Sequence, residues 1–92
     1  MIKSFRCPET KKLWEEKRSA IFSSFQRVAL RKLEMLDAAS AVIDLRIPPG
    51  NRLEKLSGDR EGEYSIRVND RWRVCFRWHN SNAWDVEIVD YH

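Results

Sequence analysis

GDREGEYSIRVNDRWRVCFRW, residues 58–78, alternates on either side of a short polar break. Tyr64, Ile66 and Val68 interleave with Glu63, Ser65 and Arg67, and after Asn69-Asp70 the alternation resumes as Trp72, Val74, Phe76 and Trp78 against Arg71, Arg73, Cys75 and Arg77. A period of two marks strands with one buried face, so the stretch predicts a β-hairpin with an apolar side and a mostly arginine side. A two-residue loop would set Val68 opposite Arg71 and mix the faces. A three-residue loop of Asn69, Asp70 and Arg71 pairs Val68 with Trp72, Ile66 with Val74 and Tyr64 with Phe76. On the polar side it pairs Arg67 with Arg73, Ser65 with Cys75 and Glu63 with Arg77. Like charges opposed on a sheet cost from a few tenths to about 1 kcal/mol unless solvent or an anion takes up the charge. The Arg67–Arg73 pair is therefore the leading candidate site.

The chain has 92 residues, 42% hydrophobic, with four Trp and four Phe, which suits one domain over residues 1–92 around one small core of large side chains. Net charge is +3, from 17 basic and 14 acidic residues. Residues 1–45 hold nine basic and six acidic groups, residues 46–78 eight and five, and residues 79–92 three acids with no Lys or Arg. This moderate basic excess is compatible with a nucleic-acid or acidic-protein partner and is also common in soluble domains. Cys7 and Cys75 are the only cysteines, without a C-x-x-C or a second pair, so neither a metal nor a cofactor is expected. The start, Met1-Ile2-Lys3-Ser4-Phe5, lacks the apolar core of a leader, and no run reaches membrane-spanning length. A reduced, cytoplasmic protein without membrane association is the expectation.

Outward from the hairpin, residues 1–6 read as a short edge strand and residues 8–17 as a helix opened by Pro8, with Leu13 and Trp14 on its apolar side. Ser23 and Gln26 match a capping box for a second helix over residues 24–38. Phe25, Val28, Ala29, Leu33 and Leu36 recur there at helical spacing, and Arg27, Arg31, Lys32 and Glu34 read as its solvated face. Pro48-Pro49-Gly50-Asn51 breaks regular structure ahead of a strand over residues 52–56. His79 to Ala83 reads as a loop, followed by a strand over residues 84–89 with Trp84, Val86 and Ile88 on the apolar face. Pairing Trp78 with Trp84 sets Arg77 opposite Asp85, Cys75 opposite Glu87, Arg73 opposite Val89 and Arg71 opposite Tyr91. The predicted class is α+β, with N-terminal helices packed on one face of a twisted antiparallel sheet.

Residues 51–62 (NRLEKLSGDREG), 64–68 (YSIRV), 72–76 (WRVCF) and the closing Val89-Asp90-Tyr91-His92 resemble the HigB branch of the RelE/ParE toxin superfamily. The resemblance implies a microbial ribonuclease-like fold and the toxin of a type II toxin-antitoxin pair, a ribosome-dependent endoribonuclease that cleaves mRNA in the ribosomal A site. It also implies a helix-turn-helix antitoxin of the HigA kind, a toxin-antitoxin heterotetramer and a toxin monomeric when free. Where such proteins can carry His and Lys before the Gly-Asp-Arg turn, this chain has Glu54 and Ser57. The burden of proton transfer then shifts to His92, Asp90 and Tyr91, with Glu54 or Lys55 as the other candidates.

Cutting RNA at a 2′-hydroxyl needs removal of that proton, stabilisation of charge on the scissile phosphate and a proton for the leaving 5′-oxygen. Arg73 with Arg67 suits the second task, because guanidinium matches phosphate oxygens in a fork. His92 suits the proton transfers, with Tyr91 stacking on a base and Asp90 orienting either neighbour. Arg52, Lys55, Arg60 and Arg46 are candidate RNA-backbone contacts, whereas Arg71 and Arg77 read as salt-bridged or solvated, His79 as inert, and Trp72, Trp78 and Trp84 as core. Two other readings stand beside this one. A ParE-like toxin would inhibit gyrase without cutting RNA, and a non-catalytic RNA-binding module would use the arginine face for backbone alone.

Overall fold

The computed structural model describes residues 1–90; Tyr91 and His92, both candidate catalytic residues, lie outside the described residues. Helix α1 spans Pro8–Glu16 and α2 spans Gln26–Ala38; the strands are β1 (Glu54–Lys55), β2 (Glu63–Arg67), β3 (Trp72–His79) and β4 (Asn82–Asp90). They form one antiparallel sheet in the order β1-β2-β3-β4. A nine-residue helix is too short to hold itself in water, so α1 depends on packing. Leu13 supplies it from inside the core, and Thr10 ties the helix to the sheet by accepting a hydrogen bond from the Ile88 N–H at 3.0 Å. Ala29, Leu33 and Leu36 of α2 meet Ile66, Val74, Phe76, Val86 and Ile88 in the same core, so both helices cover the apolar face. The fold is α+β as the alternation predicts. Among the described residues no helix is long and apolar enough to cross a membrane.

The β2–β3 register is the one required by the three-residue loop. Tyr64 faces Phe76, Ile66 faces Val74, and on the polar side Glu63 faces Arg77, Ser65 faces Cys75 and Arg67 faces Arg73. Asn69 builds the loop, its side-chain oxygen accepting from the Arg71 and Trp72 N–H groups at 2.9 Å each.

Four expectations are corrected. The strand before Leu56 is only Glu54–Lys55, because Arg52 takes a left-handed conformation (φ 45°) that ends it. Gln26 does not close a capping box; its side-chain oxygen accepts from the Ser19 N–H at 3.2 Å, and α2 begins through a 3₁₀ turn at Ser23–Phe25. The expected loop at residues 79–83 is a two-residue turn, with Asn80 and Ser81 at φ 50° and 63° between paired His79 and Asn82. Positive φ at both positions matches the twist of the strands. A bulge with Asp85 at φ 52° absorbs the change of register, so Trp84 faces Arg77 rather than Trp78 and leaves the apolar face, while Cys75 still faces Glu87 and Arg73 still faces Val89. Trp84 Nε1 donates to the His79 carbonyl at 3.2 Å.

Residues 1–6 do run along a sheet edge, parallel to β4. Lys3 and Arg6 N–H groups donate to the Ala83 and Val86 carbonyls at 2.8 and 3.0 Å, and Ala83 and Val86 return bonds to the Met1 and Ser4 carbonyls at 2.9 and 3.1 Å. The N-terminal segment thereby covers an edge that would otherwise invite pairing with another chain.

Candidate functional site

Arginines on the polar face fall into two environments. Around Glu63 the charges are matched: its carboxylate, only 2% exposed, faces Arg6 at 3.4 Å, Arg60 at 3.1 Å and Arg77 at 3.9 Å. Glu87 takes Arg6 at 3.3 Å and Arg60 at 3.0 Å, and Asp85 lies 3.9 Å from Arg6 and 3.7 Å from Arg77. Three guanidinium groups meet three carboxylates. Burial pulls the Arg60 pKa down, yet its bonds to Glu87 and Glu63 leave it above the ordinary arginine value. Gly62 lets Arg77 pack against the backbone; it sits at φ 89°, and a Cβ there would meet Arg77 Nη1 at 3.0 Å.

Beneath this network lies Cys75, fully buried on β3. Its thiol is pushed up to about 11, first by burial and then by Glu63 and Glu87, against the pull of Arg60 and Arg73. In the folded protein iodoacetamide at pH 8 should modify half-buried Cys7 and spare Cys75 until urea unfolds the chain. Equal labelling of both cysteines by mass spectrometry before unfolding would contradict that burial. The folded state holds this proton more tightly than the unfolded thiol with its pKa of 9.0, so stability should fall as pH rises from about 9 towards 11, by roughly 1.4 kcal/mol per unit.

At the other end of β2 and β3 two arginines face each other across the strands. Arg73 is 8% exposed; its Nε donates to Ser65 Oγ at 2.7 Å and its Nη2 to the Arg52 carbonyl at 2.6 Å, with Glu54 Oε1 at 4.0 Å. Arg67, directly opposite, is half-buried and pairs with exposed Asp70 three residues on. Lys32 of α2 enters the same group, its Nζ donating to Asn51 Oδ1 at 2.6 Å. Burial, then the charges of Arg31 and Arg67, hold its pKa below the ordinary lysine value. Three cations, Lys32, Arg67 and Arg73, thus gather here, joined through Asn51 and the main-chain carbonyl of exposed Arg52, with Glu54 beside Arg73 and Asp70 beside Arg67.

The candidate residues are therefore spread between these environments. Arg67 and Arg73 come together, and Arg52 meets Arg73 through its main-chain carbonyl while the residue is exposed; Lys55 is exposed on β1, and Arg60 belongs to the matched network. Arg46 ends a 3₁₀ turn and is exposed. Asp90 closes β4 opposite Trp72 and takes Arg71 through Nε at 2.8 Å and Nη2 at 2.7 Å. Lys32, Asn51 and Ser65 were not singled out as site residues by the sequence. Lys32 carried one signal, since positions 28, 29, 35 and 36, three and four residues away, all belong to the apolar side of α2.

This arrangement of helices and sheet recurs in solved structures. YoeB in the heterotetrameric YoeB-YefM toxin-antitoxin complex from Staphylococcus aureus superposes with a TM-score of 0.58 at 16% identity, over 100% of this chain and 98% of that one. YafQ from E. coli superposes at 0.53 with 13% identity over 98% and 93%. Sequence narrows the class further. Residues 3–92 match the family described as the RelE-like toxin of type II toxin-antitoxin system HigB, and the chain belongs to this HigB-like toxin family. It is 52% identical over 64 residues to toxin HigB-1 of Vibrio cholerae, covering 70% of this chain and 67% of that protein, and 33% identical over the full length of both chains to endoribonuclease HigB of Proteus vulgaris.

Proposed function

We propose that this toxin is an endoribonuclease that cleaves mRNA in the ribosomal A site and so inhibits translation in the cytoplasm. The reading rests chiefly on the full-length relationship to a protein named endoribonuclease HigB, and the cation-rich end of the sheet supports it. In the proposed reaction the 2′-oxygen loses its proton and bonds to phosphorus while the bond from phosphorus to the 5′-oxygen breaks. Arg73 meets the charge that builds on the phosphoryl oxygens. Ser65 and the Arg52 carbonyl hold it in place beforehand, so little reorganisation is needed during the reaction. Arg67 and Arg52 bind the RNA backbone, with Lys55, Arg60 and Arg46 as outlying contacts. His92, Tyr91 and Asp90 are proposed for the proton transfers. A HigA-like helix-turn-helix antitoxin is the proposed inhibitor, in a heterotetramer from which the toxin is released as a monomer.

Primer extension on a reporter mRNA after brief expression provides the test. New 5′ ends should appear within the translated frame and vanish when the reporter's start codon is removed. Cuts that persist without translation would remove the ribosome from the proposal. Growth arrest with intact mRNA and inhibited gyrase would favour the ParE-like reading instead.

A further inference from the structure

Lys32 is held in a way that a solvated lysine on a helix face is not. Asn51, its partner, is fully buried, and both directions of its amide nitrogen are occupied: Nδ2 donates to the Leu45 carbonyl at 3.1 Å and to the Ile47 carbonyl at 3.4 Å. Its oxygen is therefore fixed towards Lys32. One ammonium hydrogen satisfies that oxygen, which leaves two donors for another group. Among the described residues no carboxylate comes within 4 Å of this ammonium. The neighbouring charges are instead Arg31 and Arg67, of the same sign.

The main chain continues from Asn51 to Arg52, whose carbonyl receives Arg73, and Arg73 in turn lies opposite Arg67. A cation from the helix layer is thus tied to two cations of the sheet layer, Arg67 and Arg73, through two adjacent residues. Like charges held together at partial burial repel, and a bound anion relieves the repulsion. RNA backbone, with one charge on each nucleotide, fits cations carried by both the helix and the sheet better than a single small anion does.

We propose that Lys32 binds an RNA phosphate next to the one gripped by Arg67 and Arg73, extending the binding surface from the sheet onto α2. This rests on the reading of the chain as a toxin acting on RNA. It makes Lys32 a binding residue and gives it no part in proton transfer.

The test uses the full chain and a fluorescein-labelled, fully 2′-O-methylated twelve-nucleotide RNA, which cannot be cut, titrated at several KCl concentrations. Lys32→Met keeps the aliphatic stem and should weaken binding several-fold at low salt. It should also lower the slope of log affinity against log salt by about 0.7, the contribution of one phosphate contact to a single strand. Lys32→Arg should restore the slope. Unchanged affinity and slope in Lys32→Met would overturn the proposal, as would equal loss in Lys32→Arg with a matching fall in thermal midpoint, which marks a structural role only. If Lys32→Met does not fold, Lys32→Gln takes its place with the same two outcomes. Because the probe is uncleavable, a failure here is separate from a failure of mRNA cleavage by the parent protein.

Discussion

Arg73→Lys is expected to lower mRNA cleavage on ribosomes by about 10²- to 10³-fold, the usual effect of removing one preorganised donor from a developing oxyanion. Charge is retained in this variant, so a loss on that scale would come from geometry. The guanidinium reaches Ser65 Oγ with Nε and the Arg52 carbonyl with Nη2 at the same time. An ammonium is a point charge on a flexible stem and does not reproduce that fork. The side chain is nearly enclosed, so a disappointed partner also lowers stability, by about 1–3 kcal/mol. Single-turnover cleavage and urea unfolding on the same preparations separate the two effects. Arg27→Ala, on the exposed side of α2, should remain within about 0.5 kcal/mol of the parent. A folded Arg73→Lys protein that cleaves at the parental rate would exclude Arg73 from the chemistry.

Glu63→Ala should produce the largest loss of stability outside the apolar core, about 3 kcal/mol. Removing one member of a buried charge group usually costs about 3–5 kcal/mol, and the lower end applies because Arg6, Arg60 and Arg77 are each partly exposed and can turn towards water. In a domain of this size that is a large share of the total, and a fall in thermal midpoint of more than 10 °C should accompany it, at roughly 4–8 °C per kcal/mol. Glu63→Gln, which keeps the shape and loses the charge, should fall between. Asp85→Asn should cost no more than about 1 kcal/mol, since its carboxylate is 45% exposed. Equal effects at positions 63 and 85 would show that burial does not govern the network. The expected consequence reaches the N-terminus and the loop before β2, because Glu63 holds both Arg6 and Arg60.

The central hairpin was legible because its evidence is local. Alternation with period two and a loop that must keep the faces separate leave one register, and that register is present. The next turn was not legible in the same way. Asn80 and Ser81 both adopt positive φ without glycine, and the bulge at Asp85 has no residue signature, so alternation alone puts Trp84 on the wrong face. Arg60 shows the same limit for charge. In sequence it is a basic residue in a polar turn and an RNA-contact candidate, whereas in the fold it lies against Glu63 and Glu87, three and twenty-seven positions away. Lys32 erred in the opposite direction, since its partner is nineteen positions distant and no local pattern connects them.

What the amino-acid order determined by itself is the two-faced hairpin and the opposition of Arg67 and Arg73, because side-chain alternation and loop length act between near neighbours. Tertiary structure alone decided which basic groups lie among carboxylates and which lie beside other cations. Electrostatic interaction depends on separation through space and on exclusion of water, and both arise only when β4 brings Glu87 beside Arg60 and α2 brings Lys32 beside Asn51.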